Sequence, residues 1–323
     1  MSKKLKILVI RFSSIGDIIL TTPILRCLKN QLNADIDFLT NSLHKELLLT
    51  NTNISDVFGL SKNTTQIIDI LHSKEYDIVI DLQNNFKSLK IRLALGVHSF
   101  VLDKGTLKRY LLIYLGIDLL NNHIVDRYFK TISRLKVSND GKGIDYPLSE
   151  NTTAKFNFKQ DYIAWCIGGT YEQKKLSLAQ ISYVISKIKI PVVLLGGFNE
   201  KKISSLLNEK NINSKNIYDF CGETNIKESA YLMQNSKLVL TNDTGMMHIA
   251  SAFDIPIVSF WGCTKPSLGF YPYMPNKKSV NIIVNSSKRP CSKHGKYCRS
   301  SVNGCIKEID SQIIYNTIVK LIK

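Results

Sequence analysis

No apolar run in this 323-residue sequence approaches the roughly 18 residues that a membrane-spanning helix requires, which excludes a helical membrane protein. No cleaved leader is expected at the N-terminus either. Met1-Ser-Lys-Lys-Leu-Lys opens like a signal peptide, but Arg11 and Asp17 interrupt the apolar stretch and no small-residue cleavage site follows, so the expected location is cytoplasmic. There is no GxGxxG turn, which removes the dinucleotide fingerprint. No CxxC pair occurs, so the compact ligand pairs of common structural zinc sites are absent. No short-period repeat is present, and no recognised nucleic-acid module accompanies the positive charge, so nucleic acid is not an expected partner.

What is present suits two domains of ordinary size. The chain is 44% hydrophobic, enough for two cores. A formal charge of +17 points to anionic partners, although a lysine-, asparagine- and isoleucine-rich composition supplies part of it without any functional meaning. The excess is also local: Asn285–Arg299 holds five Lys/Arg and no acid.

Short apolar runs alternate with amphipathic ones. Strands are predicted at Leu5–Ile10, Ile36–Leu39, Ile78–Leu82 and Ser99–Leu102, and helices at Pro23–Gln31, Leu43–Leu49, Thr65–Ser73, Ser88–Leu95 and Ile124–Leu135. A polar stretch rich in Gly, Pro and Asn, from Ser138 to about Lys159, reads as a linker. A second series follows. Its strands are Tyr162–Ile167, Val192–Leu195, Ile217–Phe220, Leu238–Leu240 and Pro256–Phe260. Its helices are Leu178–Ile188, Glu200–Asn208, Ile226–Gln234, Gly245–Ala252 and a closing Asp310–Ile322. The pattern predicts two parallel α/β domains with ligands at the carboxyl ends of their strands.

Four turns hold the chemistry-bearing residues. After the first strand come Ser13, Ser14, Gly16 and Asp17, with Thr22 as an N-cap before Pro23; the simpler reading is a capped turn. Gly168, Gly169 and Thr170 precede Lys174-Lys175, where backbone and ammonium groups could meet a phosphate. Gly196-Gly197 leads to Glu200, which suits either ribose hydroxyls or the start of a helix. Thr241-Asn-Asp-Thr-Gly-Met-Met-His248 runs from a strand into a helix N-terminus, a place where backbone N–H groups favour a diphosphate; His248 suits packing at least as well as binding.

Seven cysteines are an odd number. Cys27, Cys166, Cys221 and Cys263 are scattered and read as reduced. Cys291, Cys298 and Cys305, with His294 between, are spaced for one disulfide or three thiols in a tight loop rather than for a metal.

Taken together, Ile10-Arg-Phe-Ser-Ser-Ile-Gly-Asp-Ile-Ile-Leu-Thr-Thr-Pro23, Tyr76-Asp-Ile-Val-Ile-Asp-Leu-Gln83 with Lys87-Ser88, Lys174-Lys175, Gly196-Gly197 with Glu200, and Thr241–His248 resemble the successive blocks of glycosyltransferase family 9, the ADP-heptose:lipopolysaccharide heptosyltransferases. Phe260-Trp-Gly-Cys-Thr264 and Arg289-Pro-Cys291 with its later cysteines extend the resemblance over nearly the whole chain. One departure is Leu176-Ser177, where the family commonly has Trp-Pro.

The resemblance implies a GT-B fold, two Rossmann-like domains facing across a central cleft. Residues 1–155 would bind the acceptor, 156–308 the nucleotide-sugar, and 309–323 would form a helix packing back on the first domain. It implies inverting, metal-independent transfer with no cofactor. Asp17 becomes the general base. Lys174, Glu200, Asp243, Thr244, Gly245, His248, Thr264, Gly168 and Gly169 become donor contacts. Ser14, Lys87, Arg92, Lys108 and Arg109 would grip an anionic lipopolysaccharide precursor, with the enzyme peripheral at the inner membrane. A different nucleotide-sugar with a capsule or other surface-glycan acceptor is the close alternative; a non-catalytic binder is a more distant one.

Overall fold

The computed structural model describes residues 4–61, 64–120, 122–149, 152, 158, 160–210, 216–285 and 290–323. Part of the expected linker and Arg289 lie outside the described residues. The chain divides into unit 1, Met1–Thr106 with Asn122–Pro147, and unit 2, Leu107–Asn121 with Leu148–Lys323.

Unit 1 is built on β1 (Lys6–Ile10), β2 (Asp35–Asn41), β3 (Asp56–Leu60), β4 (Ile78–Asp81) and β5 (His98–Val101), in the order β3-β2-β1-β4-β5 with every pairing parallel. A parallel sheet needs cover on both faces, so its central strands are continuous apolar runs rather than alternating ones. Ile7–Ile10 accordingly have no exposed surface. One face packs Leu8, Ile10, Leu39 and Val79 against Ile67 and Leu71 of the helix Thr64–His72 and Ile91 and Leu95 of the helix Phe86–Leu95.

Unit 2 repeats the plan with β6 (Ile163–Cys166), β7 (Val192–Leu195), β8 (Ile217–Asp219), β9 (Leu238–Asn242), β10 (Ile257–Trp261) and β11 (Val280–Ile283), in the order β11-β10-β9-β6-β7-β8, again all parallel. Its core gathers Ile163, Trp165, Leu194, Leu240, Phe260 and the helix residues Ile181 and Val184.

Strand order fixes where ligands go. In unit 1 the chain moves from β1 outward through β2, then returns to β4 on the other side. In unit 2 it leaves β6 toward β7 and returns to β9. Loops leaving such neighbouring strands diverge and open a crevice at the carboxyl ends. The crevice of unit 1 is therefore lined by the turns after Ile10 and Asp81, and that of unit 2 by the turns after Cys166 and Asn242.

Two strands, β3 and β11, are absent from the sequence reading. Both are edge strands with partly exposed residues, so neither has the continuous apolar run of a central strand. The expected helix Leu43–Leu49 is a 3-10 segment, Ser42–Leu47, and Ile124–Leu135 ends as a helix at Thr131. Thr21, not Thr22, occupies the N-cap of the helix Thr22–Leu32. The last helix, Ser311–Ile322, buries Ile314 and Ile318 in the core of unit 2, and its Gln312 accepts the Tyr183 hydroxyl at 2.6 Å. Among the described residues, no helix is long and apolar enough to cross a membrane.

Candidate functional site

In unit 1 the turn after β1 orders Asp17 completely. Ser14 caps the short helix Ile15–Ile19, and Asp17 is its third residue. Oδ2 of Asp17 accepts the Ser14 N–H at 3.0 Å and the Ser14 hydroxyl at 2.8 Å. Oδ1 faces the Arg11 guanidinium at 2.5 Å. Arg11 is itself buried and fixed, donating to the carbonyls of Ser13 at 2.9 Å and Leu82 at 2.5 Å. The Ser13–Ser14 peptide is cis. Burial alone would raise the Asp17 pKa, but the Arg11 charge and the Ser14 hydrogen bonds outweigh it, and the carboxyl is held below its ordinary value. A carboxylate has about four acceptor positions. Three are used here, which leaves one on Oδ1, and the side chain retains 17% exposure.

The neighbouring turn after β4 is organised by Asp81, which has no exposed surface. It accepts the N–H groups of Gln83 and Asn84 and the Arg92 side chain at 2.9 Å. Gln83 in turn accepts the Phe12 N–H, which ties the two turns together. Arg92, expected to meet an acceptor, is thus held in place by Asp81. Lys87 is exposed on the same helix, Phe86–Leu95. Lys108 is exposed and Arg109 buried, and both belong to Leu107–Asn121, the segment that joins unit 2.

In unit 2 the turns after β6 and β9 are joined through Asp243. Its Oδ2 accepts the Lys174 ammonium at 2.7 Å and the Thr264 hydroxyl at 2.6 Å. Asn242 completes the junction by donating to the carbonyls of Ile167 and Gly168. Asp243 and Thr264 are buried, and the Lys174 side chain keeps 14% exposure. An ammonium offers three donors, so two on Lys174 remain for a phosphate.

The adjacent lysine does something different. Lys175 is buried between Glu200 at 2.8 Å and Glu172 at 2.7 Å, and Glu200 also accepts the Gly197 N–H at 3.0 Å. Burial works to lower the Lys175 pKa, yet the hydrogen bonds and charges of Glu172 and Glu200 raise it above the ordinary value. Glycine is required around this pair. A Cβ on Gly196 would lie 2.7 Å from Glu200 Cβ, and one on Gly169 would lie 3.2 Å from Lys175 Cγ. Gly168 also borders the Glu200 carboxylate.

Thr244 is the N-cap of Gly245–Ala250, with no side-chain capping bond. This helix is shorter than the expected Gly245–Ala252, so positive potential comes chiefly from lysine rather than from a macrodipole. His248 is buried within it. The loop carrying the late cysteines backs Lys174 from behind. A Cβ on Gly295 would lie 2.8 Å from Lys174 Cγ, and one on Gly304 would lie 2.7 Å from Gln173 Cα.

Sequence reasoning missed Arg11, Asp81 and Lys175 as site residues. For Arg11 a signal existed, since a charge directly after a fully apolar strand must find a partner when buried. The Lys174–Lys175 division had no comparable signal, because adjacent residues point differently only once the turn is built.

The family model for glycosyltransferase family 9 (heptosyltransferase) matches residues 64–301, a span that begins after the Arg11–Asp17 turn. Lipopolysaccharide heptosyltransferase 1 of Campylobacter coli is 23% identical, covering 99% of this chain and 98% of its own. Lipopolysaccharide heptosyltransferase 2 of Escherichia coli K12 is 24% identical over 87% of this chain and 88% of its own. Among solved structures, a family 9 glycosyl transferase from Veillonella parvula DSM 2008 superposes with TM-score 0.82 at 18% identity, covering 100% of this chain and 98% of that one. The E. coli heptosyltransferase WaaC with ADP gives 0.73 at 17% identity, over 98% and 100%. At these identities the superpositions speak to fold, which is GT-B-like with two Rossmann-like α/β domains.

Proposed function

This chain belongs to glycosyltransferase family 9, and on that premise we propose that it moves a heptose from ADP-heptose to a lipopolysaccharide core acceptor, Kdo-lipid A or an inner-core heptose. The names of its full-length relatives support the sugar and the acceptor class. The observation that carries the chemistry is the Arg11-oriented Asp17 carboxylate, ionised at neutral pH and keeping one acceptor position.

In this reading the acceptor hydroxyl attacks the anomeric carbon on the face opposite the diphosphate, which inverts the configuration. The new C–O bond forms as the bond to the diphosphate oxygen breaks, through an oxocarbenium-like transition state of the kind seen in related sugar chemistry. Asp17 takes the hydroxyl proton late in the step, when the oxygen has become acidic. The electron pair leaves with ADP. Lys174 places its remaining N–H donors on the departing diphosphate, helped by Thr264 and the backbone of Thr244 and Gly245. Glu200, held by Lys175, accepts ribose hydroxyls on its remaining lone pairs. Transfer needs no added divalent ion. Lys87 and Lys108, both exposed, contribute to holding an anionic acceptor at the membrane surface.

The test is purified protein with ADP-heptose and Kdo-lipid A or a heptosylated core, followed by ADP release and product mass. Thermal shifts with ADP, UDP and GDP report the nucleotide separately. Stabilisation by UDP or GDP in preference to ADP, with no heptose transfer, would overturn the donor assignment.

A further inference from the structure

Three of the four sulfurs gathered at one end of unit 2 were read from the sequence as disulfide or loop thiols, and the fourth as a scattered cysteine. The fold joins them. Cys263 sits in the turn after β10, Cys291 and Cys298 in the loop that backs Lys174, and Cys305 at the start of the 3-10 segment Cys305–Glu308. The Sγ atoms of Cys263, Cys291 and Cys298 all lie within 4.8 Å of one another. Cys291 Sγ is 3.9 Å from Cys298 Sγ, and Cys305 Sγ, outside that group of three, is 3.8 Å from Cys263 Sγ. None of the four is in a disulfide.

The group of three, with Cys305 against Cys263 as the fourth, is spaced for a metal rather than for a disulfide. A disulfide needs its sulfurs about 2.05 Å apart. Four sulfurs placed tetrahedrally about 2.3 Å from a metal ion are spaced about 3.8 Å from each other. We propose that Cys263, Cys291, Cys298 and Cys305 bind one thiophilic divalent metal ion, zinc or ferrous iron.

Three further observations fit. Cys263, Cys291 and Cys305 have no exposed surface and Cys298 is only partly exposed, as in closed structural sites with no open coordination position. The Arg299 N–H points to Cys291 Sγ at 3.3 Å, and N–H donors of this kind support a coordinated thiolate. The Cys291 N–H also donates to the Cys263 carbonyl at 2.8 Å, so two ligand segments are already fastened at their backbones. The role is to staple. Residues 290–304 form neither helix nor strand, yet their glycines press on Gln173 and Lys174, and Cys263 directly precedes Thr264. A metal here holds the loop against the turns that carry Lys174 and Thr264, away from the bond-making step. Binding releases the thiol protons and involves no change of oxidation state.

The site does not depend on the transfer reaction, and its test reads metal rather than turnover. The full chain, with a cleavable tag lacking histidine, is purified from zinc- and from iron-supplemented cells, and its metal is measured by mass spectrometry. About one zinc or one iron per chain is expected, the growth medium telling which is preferred. Cobalt added to stripped protein should give thiolate-to-cobalt charge-transfer and tetrahedral ligand-field bands. Cys298→Ser, at the least buried ligand, should lower cobalt affinity at least about tenfold, whereas Cys27→Ser should leave it unchanged. Circular dichroism checks that each variant folds. Wild-type protein without metal from either culture and without cobalt bands would overturn the proposal. So would a Cys298→Ser protein with full metal content and an unaltered cobalt spectrum.

Discussion

The Arg11 guanidinium meets Asp17 on Oδ1, the same oxygen that keeps an open acceptor position, while Ser14 occupies Oδ2. Arg11 therefore aims the carboxylate and keeps it ionised at the cost of some basicity.

Replacing Asp17 by Asn keeps the shape and the Ser14 contacts but removes the proton acceptor. Turnover should fall by about 10²–10⁴-fold, with ADP still raising the melting temperature. Near-normal turnover would mean that another group takes the proton.

Arg11→Gln should act through pH. The Arg11 charge and the Ser14 bonds hold the Asp17 pKa below the ordinary value of about 4. The acid limb of kcat/KM should lie below that value in the native enzyme and move upward when the charge is removed. Profiles of the two proteins that coincide on the acid side would separate Arg11 from the titration.

Lys174→Ala should raise KM for the donor and lower kcat, because it removes diphosphate contacts made in both ground and transition states. Lys174→Arg should recover part of both. A change confined to acceptor KM would place Lys174 elsewhere in the reaction.

Lys175→Met leaves the Glu200 carboxylate buried without its main partner. Stability should drop by about 3–5 kcal/mol, and Glu200→Gln added in the same chain should restore much of it. Additive losses in denaturant titrations would show that the pair is not coupled.

Stability should also respond to acid through Arg26, which pairs with Asp140 at 2.8 Å and Asp145 at 2.5 Å. Its hydrogen bonds pull the Asp140 pKa down to about 2. A depressed carboxyl stabilises the fold fully above its ordinary pKa of about 4 and progressively less as pH falls toward 2. Arg26→Met should be less stable at neutral pH and should lose less between those limits, as urea midpoints measured across that range would reveal.

The central strands were legible because burial on both faces demands unbroken apolar runs such as Ile7–Ile10 and Leu238–Leu240. Asp17 and Asp243, in the segments that follow them, were legible for the same reason: a polar turn at the end of such a run stands at the carboxyl edge of the sheet. Edge strands β3 and β11 carry no comparable pattern, since they are partly exposed. Pairings were hidden more deeply. Nothing in the order of residues says that Arg92 turns to Asp81, or that Cys263 joins cysteines much later in the chain; those depend on which loops the sheet brings together.

The segment Leu107–Asn121 leaves the first unit, contributes Leu112 and Leu120 to a cluster with Leu268 and Phe270, and then gives the chain back. Its consequence concerns synthesis and dissection. This segment emerges from the ribosome before any strand of β6–β11 exists, so it must wait for Leu268 and Phe270 before its apolar side chains find cover. A fragment cut at Pro147 would divide neither unit cleanly: one piece would carry an orphaned apolar segment, and the other would begin life with a bare patch where that segment belongs.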